Sequence, residues 1–464
     1  MKEHIQKFIG DRAFYRKLLS VMVPVLVQNV ITNFVSLLDN IMVGAIGTEP
    51  MSGVAIVNQL LFVFNLCIFG GLSGAGIFTA QYFGSGDQDG VRYTIRIKYA
   101  IGLIASLLFG TAFILFGDNL IGLFLHEGEL GLDLEATLAY GKEYLGIMLI
   151  QMIPFAVMQV YGSTLRECGE TLVPMKAGLV AIFVNLGLNY ILIFGKLGLP
   201  PLGIVGAATA TVIARFVECA IIVIWAHRHT KEHPYIKDLY RSIYVPSEIL
   251  KKVAIKGLPL LINEFLWSAG MTTLNQCYSV RGLEVVSAIN ISSTVSNLFF
   301  CAFFATGTTV AIIVGQLLGA GELERAVEED RKIIAFAVAL STTVGITMAI
   351  VAPLIPQLYN TEPEVRSLAT GFLLIVASYM PFSAFTNASY FTLRSGGKTI
   401  ITFLFDCVFL WALNIPLAMS LVHLTDLPIK TVFACVQGLE LVKVVLGYIL
   451  LKRRTWVNNL VKPD

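Results

Sequence analysis

Apolar runs longer than a soluble core calls for recur along the whole chain, near 18–43, 54–82, 95–117, 138–163, 174–194, 203–226, 253–280, 286–315, 333–353, 368–392, 400–422 and 432–451. A helical span of a bilayer takes about 20 apolar residues, and lipid offers the backbone no hydrogen-bond partner, so each run must satisfy its own amides as an α-helix. The pattern predicts an all-α integral membrane protein with twelve transmembrane helices. Composition agrees, with 56% hydrophobic and 14% charged residues in 464, well short of the charge a soluble enzyme carries. A net charge of +2 also excludes a strongly basic nucleic-acid binder.

The basic residues are distributed unevenly. Of the 33 Lys and Arg, 26 lie on the N-terminal segment, the even-numbered loops with their adjoining helix ends, and the C-terminal segment. The odd-numbered loops hold Lys196, Arg281, Arg366 and Lys430, and Lys142, Arg215 and Lys443 fall within or at the edge of apolar runs. The positive-inside rule then predicts a multi-pass plasma-membrane protein with both termini cytoplasmic. The first 17 residues are charged and lack the layout of a signal peptide. The richest connection, 227–252, reads as a cytoplasmic linker between an N-lobe (18–226) and a C-lobe (253–451), flanked by cytoplasmic segments 1–17 and 452–464. His227, His229 and His233 read as a solvated cluster on that linker, and all six histidines, His126 among them, fall outside the apolar runs. Seven scattered cysteines without a Cys-x-x-Cys pair suggest neither zinc nor disulfides.

The two halves repeat one another. VPVLVQN (23–29) matches LPLLINE (258–264) at an offset of 235, and Gln81-Tyr-Phe-Gly84-Ser-Gly86 matches Gln316-Leu-Leu-Gly319-Ala-Gly321 at the same offset. TLRECGET (164–171) matches TLRSGGKT (392–399) at an offset of 228. Each repeat has six spans, an even number, so both halves enter the membrane in the same direction around a central cavity, the plan of parallel-repeat transporters. The GSGDQDGVR loop (84–92) matches the major-facilitator loop signature poorly, because the Asp-Arg and the paired basic residues of that signature are missing.

Ionisable and amide side chains inside apolar runs are expensive and mark functional candidates. On the first run, Gln28, Thr32, Ser36 and Asp39 recur at helical spacing beside Asn29 and Asn33, a polar stripe expected to face the lobe interior. Asp39 could take up a proton or coordinate Na⁺; the alternative is a solvated residue at the helix end. Glu264 leads Ser268, Thr272 and Gln276 along one face of the seventh run and is the repeat partner of Asn29, not of Asp39. It suits either a cationic substrate and titration, or an interhelical hydrogen bond. Asn185 and Asn189 stack four apart on the fifth run, as cation ligands or as interhelical glue. Thr211 on the sixth run is a further candidate, Asp406 a candidate for gating, and Glu440 with Lys443 a structural pair one turn apart.

Several of these segments together resemble the multidrug and toxic compound extrusion (MATE) transporters of bacterial type. They are PVLVQNVITNFVSLLDNIMVGAIG (24–47), AQYFGSGD (80–87), NLGLNYILIFG (185–195), GAATAT (206–211), GQLLGAGE (315–322) and the paired TLRxxGxT turns. The resemblance runs from about residue 15 to 450. It implies two six-helix lobes and an antiporter that exports organic cations or amphipathic compounds by alternating access in exchange for H⁺ or Na⁺. Asp39 matches the family's first-helix acid and Asn185 its fifth-helix Asn. Asn189 stands where one bacterial subgroup carries an acid, and Thr211 matches that subgroup's sixth-helix Thr. Glu264 resembles the seventh-helix Glu of another subgroup, whose tenth-helix Asp has no counterpart in 368–392. Asp39, Asn185, Asn189 and Thr211 are therefore the expected coupling set, with Na⁺ as a transient ligand of Asp39. Asn29, Asn33, Ser36, Glu264 and Ser268 are expected to line the cavity or a C-lobe site. One carboxylate suffices for a proton, whereas a Na⁺ cage wants several oxygens, which favours H⁺.

The rival reading is a lipid-linked oligosaccharide flippase, which would want several basic side chains in its cavity. Only Arg215 and Lys443 lie well within the spans. No GxxxxGK[ST] loop is present for ATP hydrolysis, and no enzymatic constellation or cofactor is expected. The expected partners are the lipid bilayer and small amphipathic or cationic substrates, with no nucleic acid, for a monomeric carrier.

Overall fold

The computed structural model of the chain describes residues 7–125, 133–359 and 361–462, apart from the side chains of residues 36, 37, 40 and 283. His126 and the first six residues lie outside the described residues. Twelve long helices and no strand occur among the described residues: α1 Arg12–Gly44, α2 Thr48–Ser85, α3 Gln88–Gly122, α4 Leu134–Glu167, α5 Leu172–Phe194, α6 Gly203–Arg228, α7 Ser247–Ser279, α8 Leu283–Gly319, α9 Leu323–Val351, α10 Pro363–Ser395, α11 Thr399–Leu424 and α12 Ile429–Lys452. Eleven are apolar enough to cross a membrane by composition; α7 falls short because Asn263, Glu264, Ser268, Thr272 and Gln276 dilute its apolar content. The chain is a multi-pass membrane protein.

The repeated motifs are helix ends. Gly86 and Gly321 follow α2 and α8 with φ of 78° and 77°, and Gly169 and Gly397 follow α4 and α10 with φ of 89° and 73°. At three of these ends the amide one residue further reaches back to close the last turn: Glu170 N to Leu165 O, Glu322 N to Leu317 O and Lys398 N to Leu393 O, at 2.8–3.0 Å. A left-handed residue is needed for that closure, and glycine adopts it without a Cβ clash.

Contacts divide the chain into an N-terminal unit, Val27–Thr79 with Asp87–Gly257, and a C-terminal unit, Met1–Leu26, Ala80–Gly86 and Leu258–Asp464. Within the C-terminal unit the repeat motif meets its own copy. A Cβ at Gly84 would collide with the Gln316 carbonyl, and one at Gly319 with that of Gln81, so both glycines are needed for backbones to cross this closely. Gln81 also ties down the chain's end, accepting from Leu460 N at 2.7 Å and donating to Ser395 O at 2.9 Å. Trp456, 1% exposed, packs in the same core as Leu18, Leu318 and Leu393. The C-terminal segment is thereby part of the folded unit.

In the N-terminal unit α5 and α6 pack closely, with Gly206 facing the backbone of Leu192 and Ile193. Of the linker histidines His227 is exposed, as a solvated cluster would have it, whereas His229 and His233 pack against aromatic rings. His227 Nε2 lies 2.8 Å from the Tyr161 hydroxyl, His229 stacks on Trp225 with centroids 4.2 Å apart, and His233 is 9% exposed, 3.0 Å from the Tyr235 hydroxyl. Two 3-10 turns, Pro234–Ile236 and Leu239–Arg241, bury Tyr235 and Leu239 and so fold the linker onto its own unit. The aromatic residues between its charges supply the apolar area that holds it there.

Candidate cation-coupling site

Asp39 lies near the end of α1 and is half-buried. Four-residue spacing on α5 stacks Asn185 and Asn189 on one face, 7% and 2% exposed, and both reach the carboxylate. Asn189 Nδ2 donates to Asp39 Oδ1 at 2.8 Å. Which atom of the Asn185 amide is oxygen and which nitrogen is assigned from the hydrogen bonds each choice makes, so the two choices describe one side-chain position and not two states. In one, its Nδ2 donates to Thr211 Oγ1 at 3.2 Å, its Oδ1 accepts from Asn189 Nδ2 at 3.2 Å, and Thr211 donates to Ala207 O at 3.0 Å. In the other, its Nδ2 donates to Asp39 Oδ1 and Oδ2 at 3.0 and 3.1 Å and its oxygen accepts from the Thr211 hydroxyl at 3.2 Å. Asn189 Oδ1 is buried without a partner among the described residues. The fold thus brings Asp39, Asn185, Asn189 and Thr211 together in one unit.

The rest of the α1 stripe does not all turn inward. Gln28 is half-buried and approaches α5 at Gly178, where a Cβ would sit 3.1 Å from Gln28 Nε2 and 3.4 Å from Glu218 Oε1. Asn29 is also half-buried, whereas Thr32 and Asn33 are exposed, and the Ser36 side chain lies outside the described residues. Gln28 and Asp39, about three turns apart, return to nearly the same face and are both half-buried, whereas Thr32 and Asn33 lie further round the helix on its exposed side.

Glu264 and Ser268 are half-buried on α7, and neither joins the Asp39 group; they belong to the C-terminal unit. The charged groups acting on Glu264 are Arg394 of α10 and Asp406 of α11. Asp406 sits in a π-helical turn, Leu404–Val408, accepts from Asn263 Nδ2 at 3.2 Å and faces Lys443 Nζ at 3.6 Å. A π turn displaces the following residues by one position and is frequent at functional sites. The expected Glu440–Lys443 pair gives way to interhelical partners: Lys443 turns to Asp406 and lies 5.2 Å from the Phe409 ring, while Glu440 accepts from Thr386. In lipid, a partner on a neighbouring helix satisfies both helices, which an intrahelical pair does not.

Several participants were not legible as site residues. Arg394 was visible only as a letter of the TLRxxGxT repeat, and Asn263 only as part of LPLLINE. Arg215 acts electrostatically on Asp39 while bonding Glu218 at 2.8 Å. Tyr144, 4% exposed and 3.4 Å from Asn58 Oδ1, also interacts with Asp39 and carried no sequence signal. Lys98, counted among the flanking positive charges, is fully buried and paired with Glu167.

A family model described as MatE matches the chain twice, over residues 24–191 and 259–419, and the two matches begin 235 residues apart, the offset of the repeat. The probable multidrug resistance protein NorM of Thermotoga maritima is 25% identical over 409 residues, which cover 88% of this chain and 85% of that protein. The multidrug resistance protein MdtK of Pectobacterium atrosepticum is 27% identical over 419 residues, covering 89% and 88%. Among solved structures, the Vibrio cholerae MATE transporter VcmN in the bent form has a TM-score of 0.83 at 20% identity over 95% of this chain and 97% of that one. A MOP superfamily transporter from Pyrococcus furiosus has a TM-score of 0.86 at 19% identity over 98% of both. With the family matched over most of its length, once on each repeat, the chain belongs to the MatE family, the multidrug and toxic compound extrusion transporters, and is a membrane carrier rather than an enzyme.

Proposed function

We propose that the chain is a multidrug efflux antiporter that exports organic cations or amphipathic compounds in exchange for protons taken up at Asp39. The relatives named for multidrug resistance support the efflux class. The reading of the coupling ion rests on the neutral amides around Asp39, since an amide can present either its donor or its acceptor to a carboxyl group. When Asp39 is ionised both its oxygens accept, and Asn185 turns Nδ2 toward them at 3.0 and 3.1 Å. When Asp39 is protonated its hydroxyl is a donor, and the same position favours the Asn185 oxygen. That turn passes Nδ2 to Thr211, whose hydroxyl then bonds Ala207 O of α6. A proton on one helix thereby changes the hydrogen bonds between two others. Such a change drives transport only through its different affinity for the outward- and inward-open states.

The unpartnered Asn189 Oδ1 supports a second reading, in which Na⁺ is held by that oxygen together with Asp39 and Thr211. The basic bias supports both termini and the linker lying on the cytoplasmic side of the plasma membrane. The test is uptake of a fluorescent organic cation by proteoliposomes under separately imposed proton and sodium gradients, with wild type and Asp39→Asn. A proton gradient is expected to drive the wild type and not the variant. Drive by sodium alone transfers the mechanism to the Na⁺ reading, drive of Asp39→Asn removes Asp39 from it, and failure of both gradients favours the flippase.

A further inference from the structure

One cavity shares no lining residue with the Asp39 group. About 540 Å³ of free space lies in the N-terminal unit between α3, α4 and the linker, lined by Arg96, Ala100, Leu103, Ile153, Val157 and Tyr240 among others. Its lining on α3 runs from Arg96 to Ser106, ten residues or about 15 Å of helix, which is about the depth of one leaflet of a 30 Å hydrocarbon core. The neighbouring α3 and α4 surface is apolar and open: Leu103, Ile104, Leu107 and Ile153 are each more than half exposed. Such a surface in a spanning helix faces lipid.

Arg96 is the charged side chain of the cavity lining and is held in place by the linker. Arg96 donates through Nε to Leu239 O at 3.2 Å and through Nη1 to Tyr244 O at 2.8 Å, leaving Nη2 without a protein partner among the described residues. Tyr240 is held by the Tyr99 and Tyr161 hydroxyls at 2.7 and 2.6 Å. Arg241, between Tyr240 and Ser242 of the lining, is exposed. Ile243 is 95% exposed and Tyr244 64%, costly in bulk water but suited to the headgroup boundary, where Tyr is favoured.

The geometry points to a binding site for one anionic phospholipid of the inner leaflet, its acyl chain along α3 between Ala100 and Ser106 and its phosphate between Arg96 and Arg241. Occupancy fastens the linker turn Leu239–Arg241 to α3 and α4 through the lipid. The proposal depends on the linker facing the cytoplasm and not on which ion drives transport.

Native mass spectrometry of the purified full chain in detergent, titrated with phosphatidylglycerol or phosphatidylcholine, tests it without any transport assay. Wild type is expected to retain one phosphatidylglycerol in preference to phosphatidylcholine. Arg241→Gln, at an exposed position, should weaken phosphatidylglycerol about fivefold and leave phosphatidylcholine unchanged. Ala100→Trp, which fills the slot from an exposed position, should abolish the retained lipid of both kinds. Equal retention of the two lipids, an unchanged preference in Arg241→Gln, or undiminished binding in Ala100→Trp each overturns the proposal.

Discussion

The carboxylates of the two units occupy different positions of the repeat and differ in the groups that bond them directly. Asp39 is bonded by neutral amides, Asn189 at 2.8 Å and Asn185 at 3.0 Å in its donating orientation. Asp406 lies 3.6 Å from Lys443, and Glu264 is acted on by the charges of Arg394 and Asp406. Neutral donors can follow a change in a carboxylate's charge by turning over. A fixed cation opposes that change, because neutralising the acid strands the base in a poorly solvated place. On the proposed reading, the difference assigns ion coupling to one half of a duplicated architecture and structural cohesion to the other.

The largest expected effect separates the two halves directly. Asp39→Asn should abolish gradient-driven efflux, whereas Glu264→Gln should keep most of it; proteoliposome uptake of a fluorescent cation measures both, and equal loss would erase the contrast. Next, Asn189→Leu removes a hydrogen bond to a charged group, worth enough to lower driven efflux about tenfold at a fixed gradient. The C-terminal cluster should answer in stability instead. Asp406→Asn and Lys443→Met should each destabilise by about 1–2 kcal/mol in thermal unfolding, with the double variant less destabilised than their sum by roughly 1 kcal/mol. Strict additivity would mean the 3.6 Å pair is not coupled.

The smallest effect concerns the linker outside the membrane. Burial holds His233 below the usual histidine range, against Glu170 and Glu232, which act in the other direction, and with His229 reinforcing it. The docked linker therefore favours neutral His233, and the undocked chain binds the proton first as pH falls below about 6.5. Hydrogen exchange across 229–241 should be slowest above that pH and accelerate on acidification. Exchange independent of pH would place His233 outside the docking energetics.

Helix existence was legible because a bilayer demands a long apolar run wherever the chain crosses it, and the repeated glycines were legible because a left-handed turn tolerates little else. The Asp39 group was legible because an acid in an apolar run is rare enough to stand out, and four-residue spacing stacks two asparagines. Arg394 and Tyr144 escaped because nothing in their local sequence separates a residue facing a carboxylate from one facing lipid or packed core. The packing of His229 and His233 was not legible because polar composition says nothing of aromatic partners, and the Tyr161 hydroxyl reaches His227 from 66 positions away in the chain.

The sequence by itself determined twelve crossings, their pairing into two copies, the turns that end them and the acid worth watching, since each depends on a residue's own solvation or backbone freedom. Which charges oppose one another, which amides turn toward Asp39, and where Gly84 and Gly319 let two helices touch depend on contacts between residues far apart in the chain. Those are set by packing, and packing exists only in three dimensions.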